Sequence, residues 1–361
     1  VTDLKTLTGT HAYTIVIADG DAASSSDSDL NTINGKTTGV IDASAITDLA
    51  EDTIDNIKTL LEDGNDTNQF SADSFSLLET VTVSDTTLDG SKLASAIDEA
   101  NEATDGTTVV FTISAVSEIQ GSEDDFTALI TDDGNGQIDI DNQDITVTSG
   151  TISVDTANDL DDATQGTVTA DITTTETVTD LKTLTGTHAY TIVIADGDAT
   201  SSSASDLNTI NGKTSEAVSL ENVTALTSSS LSDLETLASD IGDGEFSNAT
   251  FLTTIAVSDT TIEADALAAR IDSFDEINGD NKTTGMTLVS EATINVASTE
   301  ITALLDDEAD GRVTIVDQDI NVDSGDISVD TANDLDLTTS GTITADITTT
   351  ETVTDLKTLT G

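Results

Sequence analysis

Residues 1–22 read VTDLKTLTGTHAYTIVIADGDA, and residues 178–199 repeat this stretch without a change. Two further segments recur in the second half of the chain. ISVDTANDLD occurs at 152–161 and 327–336, and TADITTTETVTDLKTLTG occurs at 169–186 and 344–361. Because self-similarity over a long, fixed interval is the signature of repeat architectures, two long repeats are predicted to fill the chain.

The nine residues VTDLKTLTG occur three times, at each end of the chain and once in its middle. We therefore divide the chain into the end of a preceding repeat at 1–9, a first long repeat at 10–186 and a second at 187–361. The chain opens and closes at the same phase of the repeat and starts with Val rather than Met. This pattern favours an excerpt of a longer array.

Shorter units lie within each long repeat and are separated by turns that end in glycine. Segments that follow such turns place apolar residues at every second position, which is typical of short half-buried strands. These segments are 109–113, 137–140, 151–154 and 167–170. The stretch 231–241 instead carries Leu and Ile at helical spacing, after a helix-start signal at Ser230 and Asp233.

A unit of this size cannot bury its own apolar face, but stacked units form a continuous core. The sequence therefore predicts a repeat solenoid, mainly β with short helices, in which stacked strand–turn(–helix) units form a parallel sheet. Thr residues would line the outer face of that sheet in rows. The alternative is a series of tandem antiparallel β-sandwich domains, which strand spacing alone leaves open.

The amino-acid composition excludes several classes of function. The chain holds 10 Lys and Arg against 70 Asp and Glu, a formal net charge of −60, which excludes nucleic-acid binding through basic patches. Apolar residues still make up 36%, so the composition is that of a folded chain with an acidic surface. Cys is absent, which excludes disulfides and thiolate metal sites. No apolar run approaches the length of a membrane helix, so this segment is not predicted to insert into a membrane.

Aspartates follow the predicted strands again and again. They are Asp19, Asp85, Asp141, Asp155, Asp171, Asp196, Asp259, Asp330 and Asp346. The simpler interpretation is that they cap helices or form Asx turns where a strand ends. The alternative is a ladder of stacked carboxylates bridged by Ca²⁺, since a hard divalent cation with oxygen ligands relieves repulsion between like charges.

One segment resembles a Ca²⁺-binding loop. Residues 306–317 read DDEADGRVTIVD and follow the helical stretch STEITALL. Counted over 12 positions, the candidate ligands are Asp306, Glu308, Asp310, the backbone carbonyl of Arg312, and Asp317, with Gly311 at the sharp turn. A strand-like TIV stands where an EF-hand would continue with a helix. The corresponding segment of the first repeat, 131–142, has Thr and Asn at its two ends and is predicted to bind weakly or not at all.

No catalytic site is predicted. The two histidines, His11 and His188, occupy the same position in the two copies of THAYTIVIA, with no Cys or Ser motif beside them. A general base needs a positioned nucleophile and an orienting partner, so a packing role is favoured. A lyase or glycosidase site would need paired carboxylates with basic or aromatic helpers in one groove, and the basic residues Arg270 and Arg312 stand isolated.

Several segments suggest a family. DLNTINGKTTG at 29–39, TVTVSDTT at 80–87, TIAVSDTT at 254–261 and the TADITTTETVTDLKTLTG repeat resemble the Thr/Asp-rich repeats of giant cell-surface proteins of marine cyanobacteria and similar bacterial repetitive adhesins. The resemblance covers essentially the whole chain. It implies an extracellular, non-enzymatic protein at the cell surface or in the matrix, with Ca²⁺ as a stabiliser. The glycine-rich nonapeptide Ca²⁺ repeats of RTX proteins are missing.

Together these observations predict a structural segment of a long extracellular fibre or coat protein. Its expected partners are neighbouring copies or repeats in a filament or sheet. The acidic surface would keep such a chain soluble in salt water, where screening shortens charge repulsion. The alternative function is a Ca²⁺-dependent adhesin stalk or a module that binds cell-surface glycans.

Overall fold

The computed structural model describes residues 1–18, 25–104, 107–195, 202–249, 252–279 and 284–360. The chain forms two compact units. The first contains Val1–Ile172 with His188–Tyr190, and the second contains Thr173–Thr187 with Thr191–Gly361. The division lies near the predicted boundary between the long repeats, but His188–Tyr190 of the second repeat belong to the first unit.

The first unit alternates short strands with helices. Its strands are β1 (Ile15–Val16), β2 (Ile41–Asp42), β3 (Asp48–Asp52), β4 (Thr80–Val83), β5 (Thr87–Asp89), β6 (Val110–Thr112), β7 (Glu118–Ser122), β8 (Asp144–Ser149), β9 (Val168–Asp171) and β10 (Ala189–Thr191). Its helices are α1 (Asp27–Asn34), α2 (Ile54–Asn65), α3 (Gly90–Ala103), α4 (Glu123–Gly134) and α5 (Val154–Ala163), preceded by a 3-10 turn at Leu4–Thr6.

Three sheets of the first unit follow the order of the chain. They have the orders β1-β2, β3-β4-β6 and β5-β7-β8-β9-β10. The pairings from β1 to β9 are parallel, and residues of like character lie side by side, so that Leu88 pairs with Ile119 and Ile119 pairs with Ile145. Helices α1 to α5 pack each against the next. Within each sheet, each strand therefore lies beside the next strand along the chain that belongs to that sheet.

The second unit has the same organisation. Its helices are α6 (Val178–Leu181), α7 (Ala204–Asn211), α8 (Leu231–Asp243), α9 (Ala264–Asn278), α10 (Ile301–Ala309), α11 (Val329–Thr338) and α12 (Val353–Leu356). Its strands are β11 (Val218–Ser219), β12 (Ala225–Ser229), β13 (Phe246–Ser247), β14 (Thr254–Val257), β15 (Thr261–Glu263), β16 (Gly285–Leu288), β17 (Thr293–Ala297), β18 (Val313–Thr314), β19 (Asp319–Ser324) and β20 (Ile343–Thr344). The sheet orders are β11-β13, β12-β14-β16-β18 and β15-β17-β19-β20, all parallel.

The passage from β4 to α3 shows why the sequence folds this way. The alternation TVTV in β4 buries Val81 and Val83 and leaves the intervening threonine half-exposed. After a three-residue turn, β5 buries Leu88. Asp89 then ends the strand and caps α3 by accepting hydrogen bonds from the amides of Ser91 and Lys92. This segment thus contributes a strand to each of two sheets and one helix that packs against β5 and β7.

Serine and threonine begin many of the helices. Side chains of Ser26, Ser122, Ser153, Thr177, Ser203, Ser230, Ser328 and Thr352 each accept a hydrogen bond from a backbone amide in the first helical turn. Four of these helices also have a reciprocal capping box with an Asp at the third position. The predicted start signal at Ser230 is confirmed.

Glycine is required where two passages approach closely. A Cβ added at Gly166 would overlap the backbone carbonyl of Gln143, and a Cβ at Gly341 would overlap that of Gln318 in the same way. These glycines occupy equivalent positions in the two repeats. The backbones of segments 23 positions apart therefore approach too closely for any side chain at this position, and only glycine fits.

The structure confirms the parallel sheets of short strands and corrects the balance of elements. Helices hold more of the described residues than strands do, so the chain is mixed α/β rather than mainly β. The strand pairings with a determined register are parallel, and none of them is antiparallel as the alternative would require. The predicted strand at 151–154 is wrong, because Val154 already begins α5 and only Ile152 forms an isolated bridge. The predicted strand at 137–140 is also wrong, since these residues belong to no strand.

Candidate functional site

The predicted Ca²⁺ ligands lie partly in a helix. Asp306 and Glu308 belong to α10, and Asp310 is its C-cap residue in right-handed helical conformation. Gly311 has a φ of +74°, as expected of the turn position. Asp317 accepts hydrogen bonds from the side chains of Ser290 and Gln318. Asp306 and Glu308 face a groove shared with α11.

Arg312 lies among carboxylates that the sequence analysis did not select. Its guanidinium is 3.3 Å from Asp275, 3.6 Å from Asp307 and 3.8 Å from Asp272. Burial, together with the carboxylates of Asp272, Asp275 and Asp310, raises the pKa of Asp307, and the guanidinium opposes that rise. The side chain of Arg312 therefore balances acidic charge between α9 and α10.

Across the described ranges, no group of three or more His, Cys, Asp or Glu side chains is arranged to hold a metal ion. For Asp306, Glu308 and Asp310 to bind one ion together, the last turn of α10 would have to open. Calcium at 306–317 thus stays a prediction.

Two of the aspartates that follow strands cap a helix that lies earlier in the chain. Asp85 accepts a 2.7 Å hydrogen bond from the amide of Ile54, the first residue of α2. Asp259 accepts a 2.8 Å bond from the amide of Leu231, the first residue of α8. The capping prediction is correct for these two. Each aspartate caps a helix that begins 31 or 28 positions earlier in the chain. Asp19 and Asp196 lie outside the described residues.

A buried carboxyl lies at the start of α1. Asp27 has no exposed surface, and neither oxygen of its side chain has a hydrogen-bond partner. Burial, and then the nearby Asp52 carboxylate, raise the pKa of Asp27 to about 8. The Asp52 carboxylate itself accepts hydrogen bonds from the backbone amides of Ser28 and Thr53. The second repeat has Ala204 and Ser229 at the corresponding positions.

His188 and Tyr190 close the last sheet of the first unit. The Nδ1 atom of His188 accepts the amide of Val168 at 3.2 Å, and its Nε2 lies 2.7 Å from Asp161. Tyr190 is fully buried, and its hydroxyl donates to the carbonyl of Ala157 at 3.3 Å. The rings of His188 and Tyr190 contact each other edge to face, with centroids 5.5 Å apart. We name these residues, with Val168, the repeat joint.

The repeat joint has a half at each end of the chain. His11 and Tyr13, the equivalents of His188 and Tyr190, contact each other at the same 5.5 Å but are exposed. The equivalents of Ala157, Asp161 and Val168 are Ala332, Asp336 and Ile343, and all three are half-exposed. Sequence comparison of the repeats identifies both halves, but their exposure is visible only in the structure.

An open groove of about 610 Å³ lies in the second unit between α8 and α9. Arg270 lines it and lies 3.8 Å from Glu235, and Glu276 is a second acidic residue of the lining. Its lining contains no Tyr or Lys. Besides Arg270, the lining includes the ring of Phe246, so one basic and one aromatic side chain lie beside the two glutamates of this open groove.

No helix among the described residues has both the length and the apolar character needed to cross a membrane. No protein-family model matches the chain, and a search of curated proteins found no similar sequence.

Proposed function

We propose that the chain is a structural repeat segment of an extracellular cell-surface or matrix protein, built as a solenoid and serving as part of a fibre or coat without catalysis. The observation that carries this proposal is that segments far apart in the chain complete each other. Asp85 and Asp259 each supply the cap of the helix one turn earlier. Such stability resides in contacts between neighbouring turns, which can be repeated to build length.

Surface charge supports an extracellular role. A net charge of −60 resists close association at low ionic strength, and salt screens it to within a Debye length of about 8–10 Å. The chain contains no Cys, so its stability does not depend on the redox state of the compartment.

Localisation tests the functional part of this proposal. We expect an antibody raised against the folded chain to label intact, unpermeabilised producing cells or the material around them. Permeabilised cells serve as the matched control for internal antigen. Label that appears only after permeabilisation would overturn the extracellular role.

Hydrogen exchange tests the solenoid. Leu237 in α8 is fully buried, and α8 packs on α7 and α9. In a solenoid, Leu237→Ala should increase amide exchange in α7, α8 and α9 and leave α11 unchanged, because each turn contacts only its neighbours. An equal increase throughout the second unit would contradict stacking of this kind.

A further inference from the structure

We propose that Asp27, Asn31 and Asp52 form a binding site for a calcium ion, which would hold the start of α1 to the end of β3. We call it the Asp27 site. It lies in the first unit, whereas the segment 306–317 belongs to the second. The site goes beyond the structural role proposed above and does not depend on it.

Three buried oxygen atoms of α1 have no hydrogen-bond partner among the described residues. Two belong to the carboxyl of Asp27, whose side chain is fully buried, and the third is Oδ1 of Asn31. Asn31 follows Asp27 by four positions in the helix, and side chains at this spacing lie on one face. Because an unpaired buried acceptor is costly, the three atoms together favour a cation that accepts their lone pairs.

Asp52 adds a second carboxylate beside this face of α1. Its side chain accepts the amide of Ser28, the residue after Asp27, at 2.7 Å, and the Nδ2 atom of Asn56 at 2.7 Å. The backbone carbonyl of Asn56 in turn accepts a 3.0 Å hydrogen bond from Nδ2 of Asn31. These bonds tie the start of α1, the end of β3 and the first turn of α2 together around the Asp27 site.

The charges of the two acidic side chains match a divalent cation. Burial acts to raise the pKa of Asp52, but hydrogen bonds from Asn56 and from backbone amides hold it below its usual range, so this carboxylate is ionised at neutral pH. Asp27 keeps its proton there unless a cation takes its place, because its pKa is about 8. Calcium would release that proton to solvent and neutralise both carboxylates. Carboxylate and amide oxygens are among its preferred ligands, and backbone carbonyls or water complete its coordination.

The second repeat lacks both carboxylates at the corresponding positions. Ala204 and Ser229 stand in their place, and the hydroxyl of Ser229 accepts the amide of Ala204 at 2.9 Å. The equivalent of Asn31 is Asn208, whose Oδ1 atom is also buried without a partner among the described residues, so this oxygen alone does not distinguish the repeats. The first repeat differs in its pair of carboxylates, since both acids are present there and both are missing from the second.

Urea unfolding followed by tyrosine fluorescence tests the site on the full chain, because both tyrosines belong to the first unit. Stability is measured at neutral pH in calcium chloride and in chelator, at the same ionic strength. At a calcium concentration about 100 times the dissociation constant, the folding equilibrium constant of the first unit should rise about 100-fold. Asp27→Asn and Asp52→Asn should each abolish this rise.

Further variants separate the site from general effects of charge. Asp124→Asn removes an exposed carboxylate from α4, also in the first unit, and should keep the full rise. Asp310→Asn changes the candidate calcium segment of the second unit and should keep it as well. Asp27→Ala introduces the residue that the second repeat has at this position, so it should fold and show no rise.

Two results would overturn the Asp27 site. One is a wild-type chain with equal stability in calcium and in chelator. The other is a rise of the same size in Asp27→Ala or Asp27→Asn, with circular dichroism showing that the variant is folded. Neither result would change the labelling of intact cells by antibody, so failure of the site is distinct from failure of the structural role.

Discussion

Asp27 makes the first unit sensitive to pH. The unfolded chain releases the Asp27 proton near the ordinary value of 3.8, whereas the folded pKa is about 8. Stability from this group is therefore complete below pH 3.8, falls as pH rises, and levels off above about pH 8. At pH 7 the loss is about 4 kcal/mol, from about 1.4 kcal/mol for each pH unit above 3.8.

Asp27→Ala should remove this loss, as the second repeat does naturally with Ala204. We expect the variant to stabilise the first unit by about 2–4 kcal/mol at pH 7 and by far less at about pH 4. Tyr13 and Tyr190 are the only two tyrosines, and both belong to the first unit. Urea unfolding followed by tyrosine fluorescence therefore reports on that unit in the intact chain.

Two variants sharpen the test. Asp27→Asn keeps the shape of the side chain but cannot ionise, so it should abolish the pH dependence even if its unpaired amide lowers stability. Asp243→Ala removes an exposed carboxylate in the second unit and controls for the change in net charge. If wild type and both Asp27 variants lose stability equally between about pH 4 and pH 7, ionisation of Asp27 is not the cause.

Three further predictions concern the second unit; the first two are measured by urea titration with hydrogen exchange and the third by thermal unfolding. Ala204→Asp should destabilise it by about 2–4 kcal/mol at pH 7 and less at about pH 4, because it buries a carboxyl without a partner. Asp259→Ala should cost about 1–2 kcal/mol and increase exchange at the start of α8, since the amide of Leu231 loses its acceptor. Calcium bound at 306–317 should raise the melting temperature over that in chelator at fixed ionic strength, and Asp310→Asn should abolish the rise.

Asp243→Ala is again the matched control for these changes in charge. Equal stability of Ala204→Asp and wild type at pH 7 would refute the burial penalty. Unchanged exchange in α8 of Asp259→Ala would show that the cap from the next turn contributes nothing. Equal melting temperatures in calcium and in chelator would show that calcium does not stabilise this segment.

The spacing of apolar residues predicted many strands and helices, because the residues that a strand or helix buries recur with the period of that element. Strand β6 lies within the predicted 109–113, and Leu231–Asp243 forms the predicted helix. The pattern failed at 151–154, where TISV alternates like a strand. Ser153 accepts the amide of Thr156 there and begins a helix, so a local cap prevails over alternation. At 137–140 the amide of Ile140 binds the side chain of Asp133 instead of extending a ladder.

The repeat joint and Arg312 could not be predicted from local sequence. His188 and Asp161 are 27 positions apart, and only the tertiary fold brings them together. The three acids around Arg312 likewise come from two helices. Asp27 did leave a signal, since SSSDSDL in the first repeat aligns with SSSASDL in the second. A difference between otherwise matching repeats marks a position where their environments diverge.

A helix cap that comes from a later part of the chain affects the order in which the chain folds during synthesis. Helix α2 reaches its full set of hydrogen bonds only when Asp85, 31 positions beyond Ile54, is in place. During translation this carboxylate leaves the ribosome well after the helix that it completes. We expect the start of α2, which has no side-chain cap of its own, to remain frayed until Asp85 emerges, so that this helix is completed only after synthesis has passed it.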